Sequence, residues 1–333
     1  MRSRISLCII ALFLLSGCGA PPAAQGFIQQ HMQCPPILYS GPRWSPDGTR
    51  IAFAMSDYSL RSMYLDMIDV NSLGYTRLGT FNDGVQGPSW SPDSSRLVAF
   101  LHRSDIYVID TVTSNESRII SDMGESGKLY KLYDDADWSP DGKYLALTGY
   151  LDGYAGPSTI TTAPLSAALI DDGIDRGAPY PVMQELSDEL GPVQGDTPRW
   201  SPDSDRIAYV DSWAHNPTIY VINADGTGKV AVASHPALTW WASHSLSWSP
   251  DGQQLAYFGA GGSGTPSIYT VNLNGTQNLR LTSGAFPDFA PDGKRIVFVG
   301  IGVNGLDEIF VMNLDGTGTR QLTRNPGNTI CLH

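Results

Sequence analysis

The sequence predicts an all-β fold: a six-bladed β-propeller of four-stranded antiparallel blades, preceded by a signal peptide and a short tether. Three observations predict it. One motif returns six times along the 333 residues. Its aromatic anchors, Trp44, Trp90, Trp138, Trp200, Trp248 and Phe289, stand 46, 48, 62, 48 and 41 residues apart, the length of one propeller blade. Beyond the N-terminal apolar run, no long segment has a helical period, while short β-branched runs bounded by turn residues recur throughout.

The N-terminus comes first. Arg2 and Arg4 precede an apolar run from Ile5 to Leu15 that is too short to span a bilayer and is followed by small residues, the pattern of a secretory signal. It ends Leu15-Ser16-Gly17-Cys18, which resembles the bacterial lipobox, where cleavage precedes a cysteine that is then acylated. An ordinary signal peptide with a chance cysteine is the alternative. The expected organisation is a signal peptide over 1–17, a tether lipidated at Cys18 over 18–33, and a propeller over 34–333. The chain is then exported and held at the extracytoplasmic side of a bacterial envelope membrane. With Cys8 removed and Cys18 lipidated, Cys34 and Cys331 remain, one near each end, and a disulfide between them is expected in an oxidising compartment.

Each repeat then reads as one blade. The copies begin PRWSPDGTRIAF at Pro42, PSWSPDSSRLVAF at Pro88, ADWSPDGKYLAL at Ala136, PRWSPDSDRIAY at Pro198, LSWSPDGQQLAY at Leu246 and PDFAPDGKRIVF at Pro287. The Trp ends a first strand, and Ser-Pro-Asp-Gly makes a hairpin turn in which Pro presets φ and Gly tolerates positive φ. Ser94 and Ser204 replace that Gly at some conformational cost. An apolar second strand follows, such as Ile51-Ala52-Phe53, then a third, such as Ile219-Tyr220-Val221-Ile222. A turn such as Ala224-Asp225-Gly226 leads to a fourth, such as Arg280-Leu281-Thr282. In the third repeat about 14 extra residues after Tyr150 are expected to form a long loop, with Ala167-Ala168-Leu169-Ile170 as the next strand. Neither tail holds the roughly 40 residues of another blade, so the tails are expected to meet at the seam between blades one and six.

The motif Trp-Ser-Pro-Asp-Gly-x-x-Ile-Ala-Phe, followed by Ile-Phe-Val-Met-Asn (309–313) and Leu-Thr (322–323), resembles the propeller repeat of the TolB family, over roughly residues 40–325. Similar repeats occur in the propellers of prolyl-oligopeptidase-type proteins. The resemblance implies a six-bladed ring. The small α/β domain that precedes the TolB propeller has no counterpart here, and neither does the oligopeptidase catalytic domain, so neither family's partner contacts nor its catalysis carries over.

Composition narrows the function. A net charge of −12 repels phosphate backbones, which speaks against nucleic acid. No Gly-x-Ser-x-Gly elbow, phosphate loop or complete calcium loop is present, and the six histidines are scattered. No cofactor and no metal site is expected. The loops between second and third strands and between blades are long and varied, so the face they form is the expected binding face. Its candidate residues are Tyr58, Tyr133, Asp134, Tyr154, Trp213, Trp240, Trp241 and His244, with Phe81, Asp57 and Asp135 nearby. A second candidate is a ring at the axis. The residues before the anchors run Arg43, Ser89, Asp137, Arg199, Ser247, Asp288. That order suggests two inter-blade ion pairs, Asp137–Arg199 and Asp288–Arg43, or a bore lined to hold an ion or substrate group. The expectation is a non-catalytic envelope lipoprotein that binds a protein, peptide or glycan through its long-loop face. The alternatives are a propeller enzyme, a carbohydrate lyase or hydrolase or a peptidase-like protein, acting at the channel mouth, or a purely structural envelope protein.

Overall fold

In the computed structural model the residues described are 37–57, 62–81, 85–101, 105–120, 131–150, 158–174, 184–211, 217–234, 246–260 and 265–325. They form six four-stranded antiparallel sheets. Blade one is β1–β4 (Ile37–Trp44, Arg50–Asp57, Ser62–Asp69, Tyr75–Phe81), and blade two is β5–β8 (Val85–Trp90, Arg96–Leu101, Asp105–Asp110, Glu116–Ile120). Blade three is β9–β12 (Lys131–Trp138, Tyr144–Tyr150, Thr159–Pro164, Gln184–Glu185), followed by a small hairpin, β13–β14 (Ser187–Asp188, Gly191–Pro192). Blade four is β15–β18 (Asp196–Trp200, Arg206–Asp211, Thr218–Asn223, Val230–Ser234). Blade five is β19–β22 (Leu246–Trp248, Gln254–Ala260, Pro266–Asn272, Leu279–Ser283), and blade six is β23–β26 (Ala285–Phe289, Arg295–Ile301, Asp307–Asn313, Arg320–Gln321). The first strands contact one another in sequence, and β1 touches β23, which closes the ring.

Strand periodicity explains why the ring holds. Successive side chains point to opposite faces of a blade, and each face meets a different neighbour. On β2, Ile51, Phe53 and Met55 pack toward blade six, while Ala52 and Ala54 pack toward blade two. The result is six apolar clusters, one at each joint between blades. Each aromatic anchor fills the joint with the preceding blade: Trp44 against blade six, Trp90 against blade one, Phe289 against blade five. Apolar packing therefore runs all the way around the circle.

The Ser-Pro-Asp turns form as their chemistry dictates. The Gly48 N–H donates to the Ser45 carbonyl at 2.8 Å, with Gly48 at φ +71°. The Asp47 carboxylate accepts from the Ser45 hydroxyl at 2.6 Å and from the Thr49 N–H at 2.9 Å. Ser94 and Ser204 do take the expensive left-handed conformation, both at φ +61°. Each offsets the cost with a bond glycine cannot make: Ser94 Oγ accepts from the Asp47 N–H at 3.1 Å, and Ser204 Oγ from the Asp141 N–H at 3.0 Å. These two serines tie the turns of adjacent blades together.

Blade three departs from the sequence reading. Its third strand is Thr159–Pro164, inside the segment expected to be a loop, and Ala167–Asp172 is a short helix, α1. Ser166 caps it by accepting from the Leu169 N–H, and Gly173 ends it at φ +69°. The sequence reads the apolar run Ala-Ala-Leu-Ile as a strand, but only Leu169 is buried, at one point of a helical turn. The β-branched Thr159-Ile160-Thr161-Thr162 carried the true strand signal.

The seam is closed by side chains at the described ends of the chain. Asn325 Nδ2 donates to the Ile37 carbonyl at 3.0 Å, and its N–H donates to the buried Glu308 carboxylate at 2.7 Å. Arg320 donates to the Val70 carbonyl at 2.9 Å. The ends therefore meet between blades one and six, as the repeat count requires. Cys34 and Cys331 lie outside the described residues, as does Cys18.

Candidate functional site

The axis of the ring carries a recess of about 340 Å³. It is lined by the six anchors, by the six residues that precede them, and by Pro46, Pro92, Pro140 and Pro202 of the turns between first and second strands. It therefore opens on the face of the turns between first and second strands. Exposed prolines form its rim and buried aromatics its wall. The wall is braced from outside by stacked cations: Arg50 lies 4.9 Å from the Trp90 ring, Arg206 5.1 Å from Trp248, and Arg295 4.9 Å from Trp44.

At the floor, the repeating order Arg-Ser-Asp becomes a pseudo-twofold network. Ser89 Oγ donates to Asp137 at 3.1 Å and accepts from the Trp138 N–H at 3.0 Å. Half a turn away, Ser247 Oγ donates to Asp288 at 2.8 Å and accepts from the Phe289 N–H at 3.0 Å. Asp137 accepts from the Trp200 N–H and Asp288 from the Trp44 N–H, both at 2.8 Å. The indoles of Trp90 and Trp248 donate to the carbonyls of Arg43 and Arg199, both at 3.0 Å. Every one of these bonds joins one blade to the next. The small polar side chains of the ring are thus couplers, which is why the repeat needs acceptors there.

The two arginines break the symmetry. Arg43 pairs with Asp288 at 3.1 Å, the ion pair expected across the seam. The expected Asp137–Arg199 pair is replaced. Arg199 instead grips Asp135 with both terminal nitrogens, at 2.7 and 2.9 Å, and both partners are almost wholly buried. Asp137 already has its oxygens engaged by Trp200 and Ser89, and Asp135, two residues earlier on β9, presents both of its own to the guanidinium. Both arginines also donate to the Leu246 carbonyl at 3.2 Å, so Arg43 of blade one reaches across the bore to blade five. The sequence groups Asp135 with the long-loop residues, because nothing in a first-strand residue two places before the ring marks it as axial.

The electrostatics follow from this packing. Burial opposes the charge on Arg199, but Asp135 and Asp137 outweigh it and its pKa rises. Arg43 is pushed down, first by burial and then by the facing charge of Arg199. Burial raises Asp137 against the pull of Arg199 and Arg43. The described lining holds no histidine or cysteine, and its two serine hydroxyls are each committed as both donor and acceptor. Among the described residues no group of three His, Cys, Asp or Glu side chains could hold a metal ion.

Of the long-loop candidates, Tyr58, Tyr154, Trp213, Trp240, Trp241 and His244 lie outside the described residues. Tyr133 and Asp134 are on β9, with side chains that are not among those described. Phe81 and Asp57 are buried and cannot serve as exposed contacts. The sequence singled out the axial ring of Arg43, Asp137, Arg199 and Asp288, and the structure brings all four to one recess.

Residues 193–299 match the TolB beta propeller domain. An uncharacterized protein of Agrobacterium fabrum is 26% identical over 186 residues, covering 48% of this chain, and the match spans only 61% of that relative. TolB of Acinetobacter baumannii shares the fold with a TM-score of 0.60 at 17% identity, over 88% of this chain and 66% of that one. An oligogalacturonate lyase of Vibrio parahaemolyticus does so with a TM-score of 0.53 at 16% identity, over 84% and 76%. A related fold is therefore found in an enzyme.

Proposed function

We propose that this chain, a six-bladed TolB-like β-propeller, is a non-catalytic binding module of the bacterial cell envelope, tethered by a lipid on Cys18, that receives a segment of a partner protein at its channel mouth. The observation that carries the reading is the recess itself. Its wall is rigid and aromatic, its rim is apolar, and its floor groups are fixed by inter-blade hydrogen bonds. Preorganised aromatic walls with a few placed polar groups suit recognition, because little freedom is lost on binding. The sequence favoured the long-loop face, but the recess opens on the face of the turns between first and second strands, and the proposal follows the recess. Proline-to-charge substitutions on the rim test it: Pro92→Glu with Pro202→Glu abolishes partner capture by the full chain while the melting temperature holds. Unchanged capture sinks the reading.

One observation favours a second reading. Asp137 is a buried carboxyl whose pKa is raised, in a recess, in a fold that enzymes also use. In that case Asp137→Asn abolishes turnover of a carbohydrate or peptide substrate. In the binding reading no turnover exists to lose.

A further inference from the structure

The two halves of the channel floor are near copies, and the difference between them points to a ligand. Arg199 has its guanidinium filled: Asp135 takes both terminal nitrogens, and the Leu246 and Pro198 carbonyls accept as well. Its counterpart Arg43 is only half filled. Nη1 serves the Leu246 carbonyl and Asp288, while Nη2 is buried and meets no hydrogen-bond acceptor. The whole residue is only 7% exposed and lines the recess. The reason is in the sequence. Two residues before Asp137 stands Asp135, whereas two residues before Asp288 stands Phe286, which holds no carboxylate and has left-handed backbone at φ +54°.

We propose that the recess binds a carboxylate carried on a peptide segment, which docks on Nη2 of Arg43 and supplies there the acceptor that Asp135 supplies to Nη2 of Arg199. A buried guanidinium nitrogen without an acceptor is costly, and a carboxylate gives it a charge-assisted hydrogen bond. Charge does not forbid it. The half with Arg199, Asp135 and Asp137 already carries one cation and two carboxyl groups, and the half with Arg43 and Asp288 carries one of each. A bound carboxylate brings the second half to the composition the first already tolerates. The rim prolines and Trp walls then meet the apolar neighbours of that acidic residue. This inference rests on the binding reading and names the group that enters the recess.

The test uses the full-length chain in detergent, with sodium acetate, acetamide and two synthetic hexapeptides, one with a central Glu flanked by Leu and its Gln twin. Arginine side-chain NMR signals are followed, with Arg43 and Arg199 assigned through Arg43→Lys and Arg199→Lys. Acetate is expected to shift the Arg43 signal saturably and leave that of Arg199 still, while acetamide does neither. The Glu peptide is expected to bind at least about tenfold more tightly than its Gln twin, a difference that Arg43→Lys erases. Saturation by acetate alone, with the two peptides equal, would assign the site to free carboxylates and overturn the peptide claim. Equal or unsaturable shifts at both arginines overturn the proposal outright, and if the variants do not fold, the absence of any arginine signal on the unaltered protein that acetate shifts saturably and acetamide does not overturns it equally. If partner capture is still lost with the rim substitutions, the binding reading survives and only the carboxylate assignment falls.

Discussion

Removing Asp135 isolates the part of the channel floor that the sequence did not reveal. The Asp135 and Arg199 side chains are 2% and 3% exposed and share two bonds of 2.7 and 2.9 Å. In Asp135→Ala the guanidinium stays buried with its main acceptor gone. Breaking a buried pair from one side costs about 3–5 kcal/mol. In a chain of this size each kcal/mol moves the melting temperature by about 2 °C, so the expected drop is about 6–10 °C. Asp137→Ala also destabilises, by freeing the Trp200 N–H and the Ser89 hydroxyl, but its coupling to Arg199 is weaker. Urea unfolding of the single and double alanine variants separates the two cases. The Asp135–Arg199 cycle should give a coupling of more than about 2 kcal/mol, and the Asp137–Arg199 cycle less than half of that. A loss below about 1 kcal/mol in Asp135→Ala, or equal couplings, refutes the assignment of Arg199 to Asp135.

Other expectations follow from single sites. Asp47 would be raised by burial, but the Ser45 hydroxyl and the Thr49 N–H hold it down at about 2. Its hydrogen bonds therefore stabilise the fold above the unfolded carboxylate range and are lost as pH falls from about 4 toward 2, so Asp47→Asn should flatten acid unfolding in that window. Asp307 has the opposite sign. Burial, and then Glu308, push it up to about 6, so its ionisation destabilises the seam as pH rises from about 4 through 6. Asp307→Asn should gain stability at pH 8 relative to pH 4 in thermal melts. Ser94→Ala keeps the left-handed backbone and loses the bond to Asp47, for a cost of about 1–2 kcal/mol, whereas Ser94→Gly relieves the backbone and should be near neutral. Unchanged stability in Ser94→Ala would show that the hydroxyl bridge carries nothing, and equal costs in the two variants would show that the left-handed backbone carries no strain. Acyl labelling of the expressed chain should vanish in Cys18→Ser, and persistence of the label would remove the anchor.

What the sequence made legible follows from what repeats. The Trp-Ser-Pro-Asp signal is local chemistry stated six times, so blade number, turn position and the second strand at Ile51-Ala52-Phe53 could be read directly. The axial order Arg-Ser-Asp was visible for the same reason, and the Arg43–Asp288 pair with it. Asp135 was not visible, because its partner is 64 residues away and its role depends on Asp137 being engaged already. Helix α1 was missed because six residues with one buried Leu give too little periodicity to outweigh an apolar run. The proposed site lies at the recess and not on the long-loop face that the sequence favours, and the reason is physical. Loop length marks where chains can vary, but the recess is set by how closely six first strands approach the axis.

The most direct test places a photo-crosslinking residue at Pro92, on the channel rim, and another at Val112, which is 87% exposed on a turn outside the recess. Irradiated in the intact envelope, the Pro92 variant should yield a discrete adduct that Arg43→Lys weakens, and the Val112 variant should not. Adducts at Val112 alone, or none at Pro92 while partner capture persists, would contradict a binding site at the channel mouth.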